Sequence, residues 1–361
     1  MNQWNWSFTQ LVRKSRPTQW GNWSLGTHIK PGAVGIIDPS SGDFKLIKES
    51  VPGVELSEQP VNRSWDLHSS NVTRRVLTGT EKTSYIDPET GLKITPEMEI
   101  EWKFDRSGSL ISKFALEKES YIKDITVLQH EFDWLAEQAA SVSMGSQGRV
   151  SQGFGVISSV LYARSGLNVG ANDTNAFYRI GGSLKAINSL LGEKGASHDG
   201  KGTYTLSREE KSLDKHLWPA SENSEAGHPL PIAFGFVSFE GNLMIPNWIG
   251  KIGAFRLFID SKFRSATSYV VIVQLTYDTP KGPHQEHATI LGGSSRSFAD
   301  IPLAATNLQV KMAFKGIFND DTHVLSWASP LGQWLTGERN IDLKGTWPGQ
   351  TQVIVKEEPG R

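Results

Sequence analysis

The segment His284-Gln285-Glu286-His287 contains the two histidines that lie closest together in the sequence. Histidine is a common metal ligand, so this pair is a candidate metal site. Zinc metalloproteases use His-Glu-x-x-His on a helix, where residues four apart share a face. Here the two histidines are three apart and follow Lys281-Gly282-Pro283 into a predicted strand, which points them to opposite faces. The segment therefore favours a solvated histidine pair, and the sequence predicts no metal site.

Other sequence signatures of catalysis are absent. The chain has no Gly-x-Ser-x-Gly, no phosphate-binding Walker motif and no Gly-x-Gly-x-x-Gly. The spaced glycines of Gln152-Gly153-Phe154-Gly155 lack the strand-to-helix context of a dinucleotide site. With no cysteine, the chain has no disulfide, no thiolate zinc site and no cysteine nucleophile. We therefore expect a protein that is not an enzyme and uses no cofactor.

A small basic cluster near the N-terminus lies beside aromatic residues. It consists of Arg13, Lys14 and Arg16, with Trp4 and Trp6 shortly before them. Basic residues beside interfacial aromatics bind anionic membrane surfaces, and three such charges contribute about 3 kcal/mol. The same pattern also fits a solvated first helix with its aromatics in the core. The sequence leaves both interpretations open, and the first makes these five residues candidate lipid ligands.

Two stretches of alternating residues predict amphipathic β-hairpins. In the first, the strand 98–105 turns at 106–109 and returns as 110–116, with one apolar and one charged face. The second starts at Gly155 and returns as 177–180. The candidate membrane-facing residues on the apolar faces are Met98, Ile100, Trp102, Phe104, Ile157, Leu161 and Leu167. A spanning strand needs about 9–11 residues, which Thr95–Phe104 and Val156–Val169 provide. An ordinary half-buried sheet gives the same alternation.

Length and composition limit the class of protein. A chain of 361 residues is enough for about two domains. The chain has 37 Lys and Arg against 38 Asp and Glu, so it lacks the excess of basic residues that is typical of a nucleic-acid-binding protein. No run approaches the ~20 apolar residues of a transmembrane helix, and the first residues lack the apolar core of a secretory signal. We therefore expect a cytoplasmic protein with no nucleic-acid partner.

Periodicity then divides the chain. Apolar residues at steps of three and four over 125–142 predict an amphipathic helix. From about residue 255, short strands separated by turns predict an all-β sandwich. We expect an α+β domain over 1–250 and a β-sandwich over 255–361.

The order of elements across about the first 250 residues resembles the pore-forming N-terminal domain of the gasdermin family. That family opens with a helix ending in Leu-Val-Arg, to which Phe8-Thr9-Gln10-Leu11-Val12-Arg13 is similar. A Lys-Pro segment leads into a strand, as in Lys30-Pro31-Gly32-Ala33-Val34, and Ile232-Ala233-Phe234-Gly235-Phe236 is similar to the family's closing strand. Between these, an alternating pair, a helix and a second pair follow in the family's order at 98–116, 125–142 and 153–184.

The resemblance implies an α+β fold with a twisted, mostly antiparallel sheet and amphipathic helices. It implies a protein that is cytoplasmic when soluble and moves to membranes on activation. There it would bind acidic lipids, form a homo-oligomer and insert the two hairpins into one β-barrel. An activating protease would cut an exposed stretch, for which 194–228 and 250–264 are the candidates.

The chain departs from the family in its second domain and in its lack of cysteine. The family's animal members carry a helical repressor where this chain predicts a β-sandwich, and bacterial members use an N-terminal cysteine for lipidation. The role of the second domain therefore stays open between repression, targeting and recognition. The alternative function is a non-enzymatic, lectin-like protein that binds carbohydrate or lipid, because a chain rich in strands and with 12 tryptophans offers ring platforms.

Overall fold

The computed structural model describes residues 3–61, 63–86, 92–192, 204–209, 212–219, 228–263, 269–316, 320–346 and 350–356. Strands make up 53% and helices 12% of the residues that the structure describes, so this is a β-rich form of the predicted class, with several sheets. It divides into two compact units, Met1–Val237 and Ser238–Arg361. This division lies before the boundary at 250–262 that the sequence suggests.

The described helices and the strands that begin in the first unit have the following bounds. The helices are α1 Gln3–Arg13, α2 Val127–His130, α3 Phe132–Ser141 and α4 Leu184–Leu191, with a 3-10 turn at Gly79–Glu81. The strands are β1 Gln19–Gly21, β2 Val34–Ile37, β3 Phe44–Lys48, β4 Leu56–Pro60, β5 Ser64–His68, β6 Val72–Leu77, β7 Tyr85–Ile86, β8 Lys93–Ile94, β9 Met98–Phe104, β10 Leu110–Ile122, β11 Gly145–Ser146, β12 Arg149–Val150, β13 Phe154–Ala171, β14 Ala176–Gly182, β15 Tyr204–Glu209, β16 Leu213–Trp218 and β17 Leu230–Glu240.

Two sheets organise the first unit. The large sheet has the central order β1-β17-β13-β10-β4, and β2, β5 and β16 pair at the flanks of β13 and β10. The small sheet has the order β15-β14-β9-β6. Because β10 buries residues of both faces along most of its length, it lies in the interior of the unit.

The strands of the two predicted hairpins are present, but they pair differently from the prediction. Neither β9 with β10 nor β13 with β14 is hydrogen-bonded; instead β9 pairs with β14 and β10 with β13, both antiparallel. The two pairings share one register. Phe104 of β9 faces Ala176 of β14, and Leu110, six residues after Phe104, faces Gly170, six residues before Ala176. The four strands thus form one long antiparallel ribbon, bent where the chain passes from one sheet to the other.

We call 105–109 and 172–175 the two corners of this ribbon. The predicted hairpins are therefore wrong as pairings in this structure. The physical reason is that strict alternation determines which face of a strand is buried but does not determine its partner. A partner from either sheet satisfies the same pattern.

The helices of the first unit bury apolar faces. In α1, Trp4, Phe8, Leu11 and Val12 recur at helical spacing and are buried. The helix predicted over 125–142 is divided into α2 and α3. The sequence analysis missed α4, which Ser183 caps by accepting a hydrogen bond from the Ala186 amide at 3.1 Å.

The second unit contains two four-stranded sheets. The described strands of this unit are β18 Leu243–Ile245, β19 Phe255–Ser261, β20 Val270–Thr279, β21 Gly282–Leu291, β22 Ser295–Ile301, β23 Thr306–Lys315, β24 Asp321–Trp327, β25 Glu338–Gly345 and β26 Thr351–Val355, with a 3-10 turn at Pro330–Gly332. The sheet orders are β22-β19-β25-β26 and β21-β20-β23-β24, outside which β18 pairs with β17. Strands β19, β20 and β23 bury alternate residues, and Phe263 after β19 contacts Phe314 of β23 at 6.1 Å between ring centroids. The two sheets therefore share one core.

Across the described residues, no helix has both the length and the apolar character that crossing a bilayer requires.

Candidate functional site

The candidate site is the bent ribbon together with α1, which covers part of it. On the inner face of the small sheet, Ile100, Trp102 and Phe104 are buried, and Trp102 stacks on Tyr178 of β14 with centroids 6.0 Å apart. They belong to one apolar cluster with Leu167, against which Met98 also packs. The structure thus brings these five predicted membrane-facing residues together.

The remaining two predicted residues lie elsewhere. Leu161 belongs to the cluster that includes α1, and Ile157 is fully buried on β13. All seven residues therefore serve as core or near-core residues in this conformation. Any contact of theirs with lipid requires the ribbon to leave its present packing.

The opposite face of the small sheet is polar, and it is covered around Glu99 and Glu101. Glu101 is paired with Arg179 of β14 at 2.6 Å, and Arg179 also donates to the Thr83 hydroxyl at 3.3 Å. Glu99 is fully buried and accepts a hydrogen bond from the Thr83 amide at 2.6 Å. Because Lys82 donates to the Glu97 carbonyl at 2.9 Å, the segment around residues 82–83 is held against this face. Sequence analysis identified the charged face of this strand but not the segment that covers it.

The two corners of the ribbon lie side by side at the surface. The Gly108 amide donates to the Ala171 carbonyl at 2.8 Å, and the Ser107 hydroxyl donates to the Asn172 carbonyl at 2.7 Å. Residues 105–108 and 172–175 are exposed. Gly108 has φ +80°, and a Cβ there would meet no atom within 4 Å. The corners are therefore held by a few hydrogen bonds and little packing.

Helix α1 packs on the large-sheet part of the ribbon. Its Trp4 and Phe8 lie in one cluster with Leu110 and Phe114 of β10. Trp4 also stacks on Trp23, with centroids 5.7 Å apart and rings inclined by 20°. Trp4 is only 5% exposed, so this candidate lipid ligand is a core residue here.

The predicted basic cluster is dispersed among three environments. The Arg13 guanidinium lies 4.3 Å from the Trp20 ring centroid and 5.7 Å from that of the half-buried Trp6. Burial lowers the pKa of Arg13 to about 10. Arg16 donates to both carboxylate oxygens of Glu119 at 3.1 Å, whereas Lys14 is exposed. The structure therefore presents one exposed cation, and the other two hold the end of α1 to β1 and β10.

Strand β16 covers the edge of β13 beside the second corner, pairing along Gly166–Ala171. The Asp214 carboxylate accepts a hydrogen bond from the Trp23 indole at 2.6 Å and contacts His216 at 3.0 Å. This carboxylate fixes β16 to the core around Trp23. No signal in the sequence pointed to it, because Trp23 and Asp214 are far apart along the chain.

The histidine pair of the second unit lies on β21. The His284 ring stacks on Tyr277 at 4.7 Å and contacts Glu286 at 3.1 Å, whereas His287 contacts Gln285. Within the described part of the chain, no group of three or more His, Asp or Glu residues is placed to hold a metal.

Comparisons with known proteins give matches only among solved structures. No family model and no curated protein matches the chain. A pneumolysin structure is 12% identical with a TM-score of 0.24, and a non-hemolytic pneumolysin from Streptococcus pneumoniae is 12% identical with a TM-score of 0.22. A disulfide-locked intermedilysin mutant with human CD59 is 10% identical, with a TM-score of 0.22.

Each of these three alignments covers 94% of this chain and 87% of the other. These similar structures are those of pore-forming toxins. TM-scores this low do not establish a common fold.

Proposed function

We propose that this protein forms membrane pores, inserting two β-hairpins made of β9 with β10 and of β13 with β14 after it oligomerises on acidic lipid. The observation that supports this most directly is the bent ribbon. The chain runs directly from β9 into β10 and from β13 into β14 at the two corners, so each strand can exchange its present partner for the strand next to it in sequence. The proposal agrees with the resemblance to the gasdermin family.

The first hairpin follows from a loop at 105–109. With this loop, Phe104 faces Leu110, and the even-numbered residues of both strands form one mostly apolar face. On the other face Glu101 falls opposite Lys113, a cross-strand pair of opposite charge. In the present structure Lys113 is instead paired with Asp66 at 3.1 Å. The hairpin thus retains a partner for each of these two charges.

The second hairpin follows from a loop at 172–175. With this loop, Leu167 faces Ile180 on an apolar face, and Asn168 faces Arg179 on a polar one. Each hairpin therefore has an apolar side that can face lipid and a polar side that can face water. Both corners already lie together, so both hairpin tips start from one place.

Strand length indicates which part of the unit rearranges most. Strands β10 and β13 have 13 and 18 residues, enough for the about 9–11 that cross a bilayer. Strands β9 and β14 have 7 each, so each must lengthen by a few residues. The added residues lie towards β8 and α4. We therefore propose that the small sheet opens while the large sheet supplies the long strands.

Insertion also requires partners. Lipid leaves unpaired strand edges unsatisfied, so the hairpins must join those of other copies in a closed barrel. Lys14 offers the first contact with acidic lipid, and Arg13 and Arg16 become available when α1 leaves β10. A protease is the proposed trigger; much of the candidate stretch 194–228 lies outside the described residues. The protein acts without enzymatic activity in this proposal.

The test is dye release from liposomes, measured with intact protein and after limited proteolysis. Vesicles with and without anionic lipid carry dyes of graded size. Release that requires anionic lipid, stops above one dye size and leaves the vesicles intact is expected of a pore. Release of all sizes together would indicate general lysis and contradict the proposal. So would no release from any sample that still binds the vesicles.

A second candidate function is recognition of carbohydrate by the second unit. A polar cleft there favours it, and it does not depend on pore formation.

A further inference from the structure

The second unit has a cleft of about 340 Å³ at one end of its β20–β21 pair. The cleft lies entirely within one sheet and its loops. Polar groups dominate the lining, which includes Thr276, Asp278, Gln285 and Asn307. Its size is at the lower end of sites that hold a small ligand.

The position of Asn307 results from an irregularity of the sheet. On the pairing of β20 with β23, Thr276 faces Gln309 but Asp278 faces Thr306, so β23 carries a bulge between them. Asn307 lies in this bulge with φ +50°, a left-handed conformation that few residues other than glycine adopt. Bulges of this kind redirect side chains next to binding sites.

Two hydrogen bonds hold the bulged residue in place. The Asn307 amide donates to the Ala328 carbonyl at 2.9 Å, and its side-chain NH₂ donates to the Asp278 carboxylate at 2.9 Å. The Asp278 and Asn307 side chains are therefore oriented before any ligand arrives. Together they present a carboxylate and an amide oxygen that can accept hydrogen bonds from closely spaced hydroxyl groups of a ligand.

A ring pair borders these polar groups. Tyr277 is nearly buried, and the His284 ring stacks on it at 4.7 Å with an inclination of 29°. His284 is also fixed by its contact with Glu286 at 3.1 Å. The exposed side of the stacked His284 and the neighbouring Pro283 give the cleft an apolar wall. A wall of this kind suits the C–H face of a sugar ring.

Charge narrows the ligand class. Asp278 is the one carboxylate in the described lining, which contains no lysine and no arginine. A phosphorylated or carboxylated ligand would be repelled by the Asp278 carboxylate, because no basic side chain in the described lining offsets that charge. No metal-holding group is found in the described part of the chain. A neutral, polyhydroxylated ligand fits the remaining chemistry.

We propose that this cleft binds a neutral saccharide through the Asp278–Asn307 pair. The second unit then attaches the protein to glycosylated surfaces. Binding of this kind is independent of pore formation, because every group named here belongs to the second unit.

The experiment uses the full-length protein on an array of neutral and acidic oligosaccharides, followed by calorimetric titration of the strongest neutral compound. Asp278→Asn keeps the size of the side chain and removes its charge. Asn307→Gly removes the side chain at a position whose φ glycine adopts readily. Gln274→Ala is the matched control, because Gln274 is on the same strand outside the cleft. Thermal unfolding of each variant confirms that the sandwich is intact.

We expect binding of neutral compounds, an affinity at least tenfold weaker in both cleft variants, and a change of less than twofold in the control. Binding of acidic compounds alone, or of none at millimolar concentration, would overturn the proposal. Equal affinities in wild type and in both folded cleft variants would do the same. Dye release is not part of this measurement, so a negative result here leaves the pore proposal unaffected.

Discussion

The ribbon can be locked covalently, and this tests the proposed rearrangement directly. The chain has no cysteine, so engineered pairs have no competitors. Lys103 and Phe177 face each other across β9 and β14, and Ile111 and Val169 face each other across β10 and β13. Opposite residues in antiparallel strands have Cα atoms about 4.5–5.5 Å apart, within the range of a disulfide. Two double variants with cysteine at each pair therefore lock one half of the ribbon each.

The effect of each lock on stability is similar to that of a control lock. The ribbon locks close loops of about 75 and 60 residues, which corresponds to about 4 kcal/mol each in the chain-entropy account. Cysteines at Gln274 and His287, which face each other in the second unit, close a loop of about 14 residues, or about 3 kcal/mol. All three locks stabilise the folded protein comparably. They differ in that the control lock leaves the ribbon able to rearrange.

Dye release is measured for each oxidised variant and again after reduction. Forming both hairpins while keeping both halves of the ribbon paired would need a closed four-stranded barrel, which is too narrow to form. We therefore expect at least one ribbon lock to reduce leakage to the level of vesicles alone, with recovery on reduction. The control lock should leak in both states. If both oxidised ribbon variants release dye fully, the proposed rearrangement is wrong. If only one of them does, the two strands joined by its disulfide stay paired in the pore.

Four further predictions concern lipid binding and stability. Lys14→Gln should weaken binding to anionic vesicles about fivefold, as one lysine contributes about 1 kcal/mol, and leave binding to neutral vesicles unchanged in co-sedimentation. Gly166→Ala should cost about 3 kcal/mol or more in urea unfolding, because its Cβ would lie 2.3 Å from the Lys113 carbonyl oxygen. Gly108→Ala, with φ +80° and open space, should cost about 1–2 kcal/mol. Burial raises the pKa of Tyr162 to about 12, so stability should fall as the pH rises from its ordinary value of 10 towards 12. Tyr162→Phe should remove that part of the fall in alkaline unfolding curves.

The local elements were predictable where one face of an element is buried. Strand Met98–Phe104 forms where the alternation predicts a strand, although Glu99 and Glu101 of its charged face are buried as well. Strands also form in the predicted sandwich, as over Val270–Thr279. Helical spacing from Phe8 also places Trp4 on the buried face of α1, and Trp6 off it. This spacing favours the core rather than lipid as the environment of Trp4.

The candidate site was less predictable because its contacts join distant parts of the chain. Arg13 stacks on Trp20 and Arg16 binds Glu119, and neither partner is marked by a local pattern. The bulge that directs Asn307 into the cleft is likewise set by the pairing of β20 with β23. A basic cluster in sequence therefore became three separate environments, since each cation found a different long-range partner.

The pairing of the ribbon shows why one sequence can support two states. A shift of register by one residue would move every apolar side chain to the wrong face, so alternation excludes it. Exchanging the partner strand keeps the alternation within each strand, and it brings Leu110 and Phe114, which now pack under α1, onto one face with Phe104. With a five-residue loop at 105–109 and a four-residue loop at 172–175, Phe104 faces Leu110 and Leu167 faces Ile180, so apolar residues lie opposite apolar residues in both hairpins. The alternation of apolar and polar residues is compatible with both pairings. A strand needs this property if it is to be buried in the soluble protein and to face lipid later.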